Sequence, residues 1–164
     1  MSNALTKDIN RLYVQAVNDY ELEIIDGRSV TVNSFANLAF IYWATAAEQF
    51  EFNIPNNIPD ELSIIGGQRF NYILDIGLEK YPDSLELNFW KKYFPYRLYS
   101  ADFSENDCKN LIQKFGDDDN LTPYFFLNLF DEKLYQSEVK QLLSICTELP
   151  TAKNNYLKSF IADA

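Results

Sequence analysis

The sequence predicts an all-α fold of about eight helices, arranged as an irregular bundle or a short α-solenoid. Apolar residues recur three and four positions apart along most of the 164 residues, which is the spacing of one helix face. Prolines and polar clusters interrupt this pattern at short intervals, and no segment alternates long enough to predict a sheet. The length fits a single helical domain over residues 1–164. Residues 1–4 contain the tripeptide SNA, which is typical of an expression-tag remnant, and carry no functional prediction.

The first predicted helix covers residues 5 to about 24, where one apolar stripe is continuous. The tetrapeptide DGRS at 26–29 then breaks the chain, and SVTV at 29–32 is compatible with a short extended piece.

The second predicted helix begins at Asn33 or Ser34, either of which is a suitable N-cap. Its apolar stripe runs from Phe35 to Phe50, and the opposite face is also largely apolar. A helix that is apolar nearly all round is expected at the centre of the fold.

The third predicted helix follows a proline-containing loop at 53–61, begins near Pro59 and ends at Pro82. Gly66 and Gly67 lie inside it, at a cost of about 1 kcal/mol each relative to alanine. We interpret this pair as close packing against another helix, or as a kink, in preference to a ligand site.

The remaining five helices are predicted from caps and breakers. The fourth helix is capped by Asp83 or Ser84 and is kinked or ended by Pro95. The fifth begins with the capping box Ser104–Asp107 and is followed by Gly116. The sixth begins at Thr122–Pro123, the seventh is the apolar segment 134–149, and the eighth is capped by Thr151. The residues expected in the core are Phe35, Leu38, Tyr42, Leu74, Trp90, Leu111 and Leu142.

The segment ILDIGLEKYPDSLELNFW at 73–90 is similar to the junction between two tetratricopeptide repeats. Such repeats place a small residue in one helix, a proline at its end and an aromatic residue in the next helix, and Gly77, Pro82 and Trp90 occupy these roles. FANLAFIY at 35–42 resembles the first helix of a repeat. The resemblance covers about a third of the chain and implies helical hairpins that bind a peptide or protein.

The net charge of −10 disfavours binding to nucleic acids or anionic membranes, and it favours a basic protein partner. A purely solubilising role for the charge is the alternative. Residues 101–148 hold ten acidic and four basic residues, and residues 45–89 hold eight and two. The basic and aromatic segment WKKYFPYR at 90–97 lies between these blocks. It either offsets the neighbouring acids or binds an acidic partner or RNA.

The sequence predicts a protein that is not an enzyme and has no cofactor and no metal site. Histidine is absent, which removes the commonest general base and the histidine-containing zinc sites. Cys108 and Cys146 lie in apolar segments without metal-ligand spacing, so we expect buried, reduced thiols and a cytoplasmic location. No apolar run is long enough to span a membrane.

Acidic residues are the one set that leaves chemistry open. Glu48 with Glu51, and Asp75 with Glu79, have spacings that place both carboxylates on one helix face, so a carboxylate-dependent enzyme is a third possibility. A calcium loop of the EF-hand type beginning at Asp117 needs an oxygen ligand at its fifth position and glycine at its sixth. Leu121 and Thr122 occupy these positions, so the sequence predicts no such loop.

The segment FGDDDNLTPYFFLNLFDE at 115–132 is interpreted either as an ordinary turn between two helices or as part of an interaction surface. In the second case an electronegative face meets a basic partner, and Phe125 and Leu129 face the core. The predicted partner-binding residues are Asp102, Glu105, Asp107, Asp117, Asp118, Asp119 and Tyr124. If this face is not the interface, the next candidates are Glu48, Glu51, Asp60 and Glu61.

In its size, acidity, lack of histidine and aromatic content, the chain resembles the small acidic immunity proteins of bacterial contact-dependent growth inhibition. That resemblance implies direct binding to a cognate toxin, typically a basic nuclease domain, in the cytoplasm. The alternative is a helical-repeat scaffold that binds a host peptide or protein through a concave groove. The two hypotheses share a non-enzymatic, protein-binding role.

Overall fold

A computed structural model describes residues 1–116 and 118–162 of the chain. All regular secondary structure in these residues is helical, and they contain no strand, which confirms the all-α prediction. The chain divides into two compact units, Met1–Tyr81 and Pro82–Ala164. The assignment of residues 1–164 to one domain stays a prediction.

Unit 1 is built around one largely buried helix. The elements of the unit are α1 Asn3–Ile9, α2 Tyr13–Asp26, α3 Val32–Ala47, a π-helix Gln49–Asn53, and α4 Asp60–Lys80. The buried helix, α3, packs against α4 and α2, and α1 packs against α2. Twelve consecutive residues of α3, from Ser34 to Thr45, are buried, which confirms its predicted central position within this unit.

The predicted first helix is two helices, so that boundary was wrong. Arg11 has a φ of 60°, and this left-handed residue breaks the chain between α1 and α2. The backbone N–H of Arg11 donates to the Asp8 carbonyl at 2.9 Å, and that of Leu12 donates to the Lys7 carbonyl at 2.9 Å. These bonds satisfy backbone carbonyl groups at the end of α1. The apolar stripe continues unbroken in the sequence, which is why periodicity predicts one helix there.

The start of α3 also differs from the prediction. Thr31, rather than Asn33 or Ser34, is the N-cap, and Thr31 and Ser34 form a reciprocal capping box. The segment predicted as a possible extended piece therefore serves as the capping loop of α3.

Gly66 permits the close packing of α4 on α3, as the sequence predicted. A Cβ at this position would lie 2.3 Å from Thr45 Oγ1 and 2.4 Å from the Tyr42 carbonyl oxygen. At Gly67 a Cβ would meet only Ala46 Cβ, at 3.6 Å. The helix contact thus depends on the first glycine of the pair and not on the second.

Unit 2 has α5 Leu85–Tyr99, α6 Glu105–Lys114, α7 Pro123–Asn128, α8 Gln136–Glu148 and α9 Ala152–Ile161. The predicted caps Ser84, Ser104 and Thr151 each accept the backbone N–H of the third residue of the helix. Pro95 does not end α5, which continues to Tyr99.

The core of unit 2 is a cluster of aromatic rings from α5 and α7. Phe89, Trp90 and Tyr93 of α5 are in ring contact with Phe125, at centroid distances of 5.2 to 6.2 Å. Phe126 stacks on Phe103 at 4.9 Å. Such edge-to-face and offset contacts stabilise aromatic cores beyond the area that they bury.

Most of the predicted core residues are buried. The confirmed positions are Phe35, Leu38, Tyr42, Leu74, Trp90, Leu142 and Phe125.

Two positions were wrong. Leu111 is only half-buried, because α6 is a surface helix whose one buried residue is Cys108. Leu129 is 52% exposed, because the short helix α7 ends at Asn128 before its face returns to the core.

Candidate protein-binding surfaces

The predicted acidic face in unit 2 contains carboxylates with intramolecular roles. Asp107 Oδ2 accepts hydrogen bonds from the Ser104 backbone N–H at 2.8 Å and the Ser104 hydroxyl at 2.6 Å. These bonds lower the pKa of Asp107 below its ordinary value. Asp107 thus closes the capping box of α6, as the sequence predicted.

Asp118 also has a structural role, which the sequence did not predict. Its carboxylate accepts the backbone N–H of Leu85 at 2.8 Å and that of Asn120 at 3.0 Å. Leu85 is the first residue of α5, so Asp118 caps a helix that begins 33 residues earlier in the chain. No local pattern reveals a cap donated from such a distance.

Basic side chains accompany the other predicted acids. Glu105 forms an ion pair with Lys109 at 2.6 Å. Asp102 and Asp107 line a cavity of 610 Å³ together with Arg97, and the charge of Lys92 also lowers the pKa of Asp107. These neighbours support the interpretation that the segment 90–97 offsets an acidic face.

The remaining predicted residues differ in their surroundings. Asp119 is exposed, and Asp117 lies outside the described residues. Tyr124 is half-buried with its ring 5.8 Å from that of Tyr135, and burial raises its pKa. The partner-binding role of the whole set stays a prediction.

Unit 1 carries a groove with a different character, between the π-helix and the start of α4. We call it the π-helix groove. Its volume is 490 Å³, and its lining includes three apolar side chains that are largely exposed: Phe50 (82%), Ile54 (67%) and Ile64 (66%). Exposed apolar side chains that meet at one concave site are typical of an interaction surface.

The π-helix is held in place by contacts on its inner side. Phe52 stacks on Tyr13 of α2 at 4.9 Å, and Asn53 Nδ2 donates to the Thr45 carbonyl at 2.7 Å. Ser63 of α4 donates its hydroxyl to the same carbonyl at 2.7 Å. The chain leaves α3 along this path, so Phe50 turns to the surface although its spacing extends the buried stripe of α3.

The amide of Asn53 gives the groove a defined polar preference. A carbonyl oxygen only accepts hydrogen bonds, so the NH₂ group must face Thr45 and the orientation of the amide is set. Asn53 Oδ1 is buried and has no hydrogen-bond partner. Asn53, which lines the groove, therefore carries a buried acceptor for which the described residues supply no donor.

The segment that forms the π-helix groove carries only acidic charges. Residues 29–68 contain no lysine or arginine, and they contain the four acids Glu48, Glu51, Asp60 and Glu61. The last three of these acids are exposed. Sequence reasoning named these acids as a second candidate interface, but it assigned Phe50 to a buried stripe and so missed the apolar half of the site.

Two acids are buried in the part of the chain that the structure describes, and each belongs to an internal network. Asp8, in unit 1, accepts a hydrogen bond from the Tyr20 hydroxyl at 3.0 Å. Glu86, in unit 2, pairs with Lys153 and accepts a hydrogen bond from the Asn120 side chain at 3.1 Å. Among the described residues, no group of three histidine, cysteine, aspartate or glutamate side chains has an arrangement that could hold a metal ion.

No described helix is both long enough and apolar enough to cross a membrane. No protein-family model, curated protein or solved structure matches the chain. The surfaces of the two units are therefore the basis for a functional proposal.

Proposed function

We propose that this chain is a non-enzymatic protein-binding module whose π-helix groove binds a basic segment of a partner protein. The observation that carries the proposal is the combination of three exposed apolar side chains with the exposed acids Glu51, Asp60 and Glu61, in a segment that contains no lysine or arginine. A partner with an apolar side chain flanked by lysine or arginine complements both features.

The apolar side chains supply most of the affinity in this proposal. Phe50, Ile54 and Ile64 are 66% to 82% exposed, so each has much of its surface left to bury. Full burial of such a side chain is worth about 1.5–3 kcal/mol. Three anchors at one concave site are the kind of cluster that dominates binding energy at an interface.

The Asn53 amide supplies specificity. Its Oδ1 atom has no donor, and Asp60 in the lining of the groove favours a positively charged one. A hydrogen bond to an ammonium or guanidinium group contributes about 1.5–3 kcal/mol. A partner that supplies such a donor satisfies this acceptor, whereas an apolar or acidic segment leaves it unsatisfied, so the site favours basic segments.

The net charge of −10 supplies long-range attraction. It steers a basic partner toward the protein and raises its association rate, most strongly at low salt. A toxin domain that binds nucleic acid has a basic surface of this kind, so we propose that the chain is an immunity protein for such a toxin. This narrower proposal is supported by the chain's acidity, lack of histidine and aromatic content.

The groove is tested with a labelled peptide of lysine, leucine and serine, and with its counterpart that has glutamate for each lysine. Binding is followed by fluorescence anisotropy and stopped flow at low and physiological salt. We expect saturable binding of the lysine peptide alone. Neutralisation of three acids by Glu51→Gln, Asp60→Asn and Glu61→Gln should slow association about tenfold at low salt and make the association rate less dependent on salt.

A matched control neutralises three exposed acids of unit 2 with the changes Asp102→Asn, Asp119→Asn and Glu132→Gln. This control changes the net charge by the same amount as the groove variant. It therefore reduces only the part of the attraction that depends on total charge. Equal effects of the two triple variants would show that the groove is not the binding site. Stronger effects of the control would move the interface to the predicted acidic face of unit 2.

The immunity role has its own test. The chain is co-expressed with the protein encoded immediately beside its gene, and growth of the host cells is measured with and without the chain. We expect growth to be rescued by the wild type and lost with Phe50→Ser and Ile54→Ser together. Rescue that persists with this double variant, or no rescue by the wild type, would contradict the proposal.

A further inference from the structure

A second cavity of unit 1 lies beside the N-terminus of α3 and is distinct from the π-helix groove. Its volume is 430 Å³, and its lining includes Leu5, Tyr20, Glu23, Ser34 and Asn37. One water molecule occupies about 30 Å³ of liquid, so the cavity has room for a ligand of several non-hydrogen atoms. Neither the fold nor the proposed protein-binding function accounts for it.

Tyr20 and Asn37, which line the cavity, form with Asp8 a chain of hydrogen bonds with a defined direction. The Tyr20 hydroxyl donates to Asp8 Oδ2 at 3.0 Å, and Asn37 Nδ2 donates to the Tyr20 oxygen at 3.0 Å. A carboxylate only accepts, so the tyrosine proton points to Asp8 and its oxygen must receive the Asn37 NH₂ group. The orientation of the Asn37 amide is therefore set by the carboxylate two groups away.

This orientation leaves the side-chain amide oxygen of Asn37 without a hydrogen-bond donor. Asn37 is 4% exposed, and its Oδ1 atom has no hydrogen-bond partner. A buried acceptor without a partner destabilises the folded state, because it has lost its hydrogen bond to water. A ligand that supplies an N–H at this point recovers that free energy.

The charges at the cavity favour a cation. Glu23 lines it, and Asp8 lies directly behind the Tyr20 hydroxyl. Burial, the Asp8 carboxylate and then Glu23 raise the pKa of Tyr20, because the phenolate would form beside two negative charges. The N-terminus of α3 opposes them with only about half a positive elementary charge.

We propose that this cavity binds a small organic cation, a primary ammonium or guanidinium compound, through Asn37 Oδ1 and the Glu23 carboxylate. Its hydrocarbon part lies against Leu5 and the ring of Tyr20, which are the apolar part of the lining. The Tyr20–Asp8 pair does not contact the ligand. It holds the Asn37 amide with its acceptor available.

The test compares n-butylammonium with n-butanol, which has the same chain and no charge. Binding is measured by protein-observed NMR, with the side-chain amide of Asn37 and the ring of Tyr20 as reporters. We expect saturable shifts at both groups with n-butylammonium and an affinity at least tenfold weaker for n-butanol. Absent shifts with the cation, or equal affinities, would overturn the proposal and leave water as the occupant.

The variants separate the site from general effects on the fold. Asn37→Leu should abolish cation binding, and Glu23→Gln should weaken it about tenfold while the Asn37 amide stays in place. Asn128→Leu in unit 2 is the matched control, because Asn128 is also 4% exposed and its Oδ1 also has no partner. Unchanged affinity in both cavity variants, or an equal loss in the control, would contradict the assignment.

The two proposals fail independently. Cation binding is measured without any protein partner, and the peptide experiment uses residues that do not line this cavity. Loss of peptide binding with intact n-butylammonium binding would remove only the protein-binding proposal.

Discussion

At the residue scale, Gly66 and Gly67 provide a matched pair. A Cβ at Gly66 would overlap the Tyr42 carbonyl, which is backbone and cannot rotate away, whereas Gly67 has room for a methyl group. We expect Gly66→Ala to lower the free energy of unfolding by about 1–3 kcal/mol. Gly67→Ala should raise it by about 0.5–1 kcal/mol, because alanine is the better helix former. Urea denaturation measures both, and equal effects would contradict the packing assignment.

The Lys153–Glu86 pair gives the largest expected single-residue effect. Both side chains are almost fully buried, so Lys153→Met leaves a carboxylate without its charge partner in the core of unit 2. We expect a loss of about 3–5 kcal/mol in the free energy of unfolding, measured by urea denaturation.

The exposed pair of Lys109 with Glu105 is the control for this experiment. Lys109→Met should change stability little, because exposed ion pairs are well solvated. The double change Glu86→Gln with Lys153→Met should recover part of the loss, since it removes the unpaired charge. A loss for Lys153→Met no larger than that for Lys109→Met would show that the buried pair does not stabilise unit 2.

Sequence reasoning at this scale succeeded where a single residue determines its own contact. Gly66 and the capping pair Ser104–Asp107 are such cases, because the residue type alone limits what the backbone can do there. It failed for Asp118 and Glu86, whose partners lie 33 to 67 positions away in the chain. A long-range hydrogen bond leaves no periodic trace in the sequence.

At the scale of elements, the positive-φ residues decide where α1 and α2 end. Gly27 follows α2 with a φ of 69° and has nothing near the place of a Cβ, so only conformational cost opposes a side chain. Arg11 has nearly the same conformation, with a φ of 60° and a Cβ. We expect Gly27→Ala to destabilise unit 1 by about 1 kcal/mol, and Arg11→Gly to be neutral or stabilising. Thermal denaturation of the variants tests this, and destabilisation by Arg11→Gly would contradict it.

The π-helix shows why the candidate site was only partly predictable. The spacing from Phe35 to Phe50 continues the buried stripe of α3, so periodicity places Phe50 in the core. The wider π-helical turn, held by Phe52 on Tyr13 and by Asn53 on Thr45, rotates Phe50 to the surface. The acids of the groove were visible in the sequence as a charge pattern, but the apolar half depends on this change of helix type.

At the scale of the whole molecule, the titratable groups with raised pKa values make stability depend on alkaline pH. Burial raises the pKa of Cys108 to about 12 and that of Cys146 to about 11, from an ordinary value of 9.0. Burial and neighbouring carboxylates also raise the pKa of Tyr20 and Tyr42. Histidine is absent, so no side chain of ordinary pKa changes charge between about pH 6 and pH 8.

The sign of the effect follows from which state binds more protons. Above pH 9 the thiols of the unfolded chain ionise, while the folded thiols stay protonated until about pH 11 to 12. The unfolded state then binds fewer protons, so the free energy of unfolding falls as pH rises through this window. Each group contributes at most about 1.4 kcal/mol per pH unit between its two pKa values. We expect stability to be flat near neutral pH and to fall above about pH 9.

Urea denaturation between neutral pH and about pH 11 measures this dependence. Cys108 and Cys146 lie in unit 2, whereas Tyr20 and Tyr42 lie in unit 1, so substitution separates the contributions. The double variant with Cys108→Ala and Cys146→Ala should flatten the fall in the stability of unit 2 at alkaline pH. The fall in the stability of unit 1 should remain, because its tyrosines ionise only after unfolding. Stability that stays constant up to pH 11 in the wild type would show that the thiols are accessible in the folded state. An undiminished decline of unit 2 in the double variant would assign it to groups other than the cysteines.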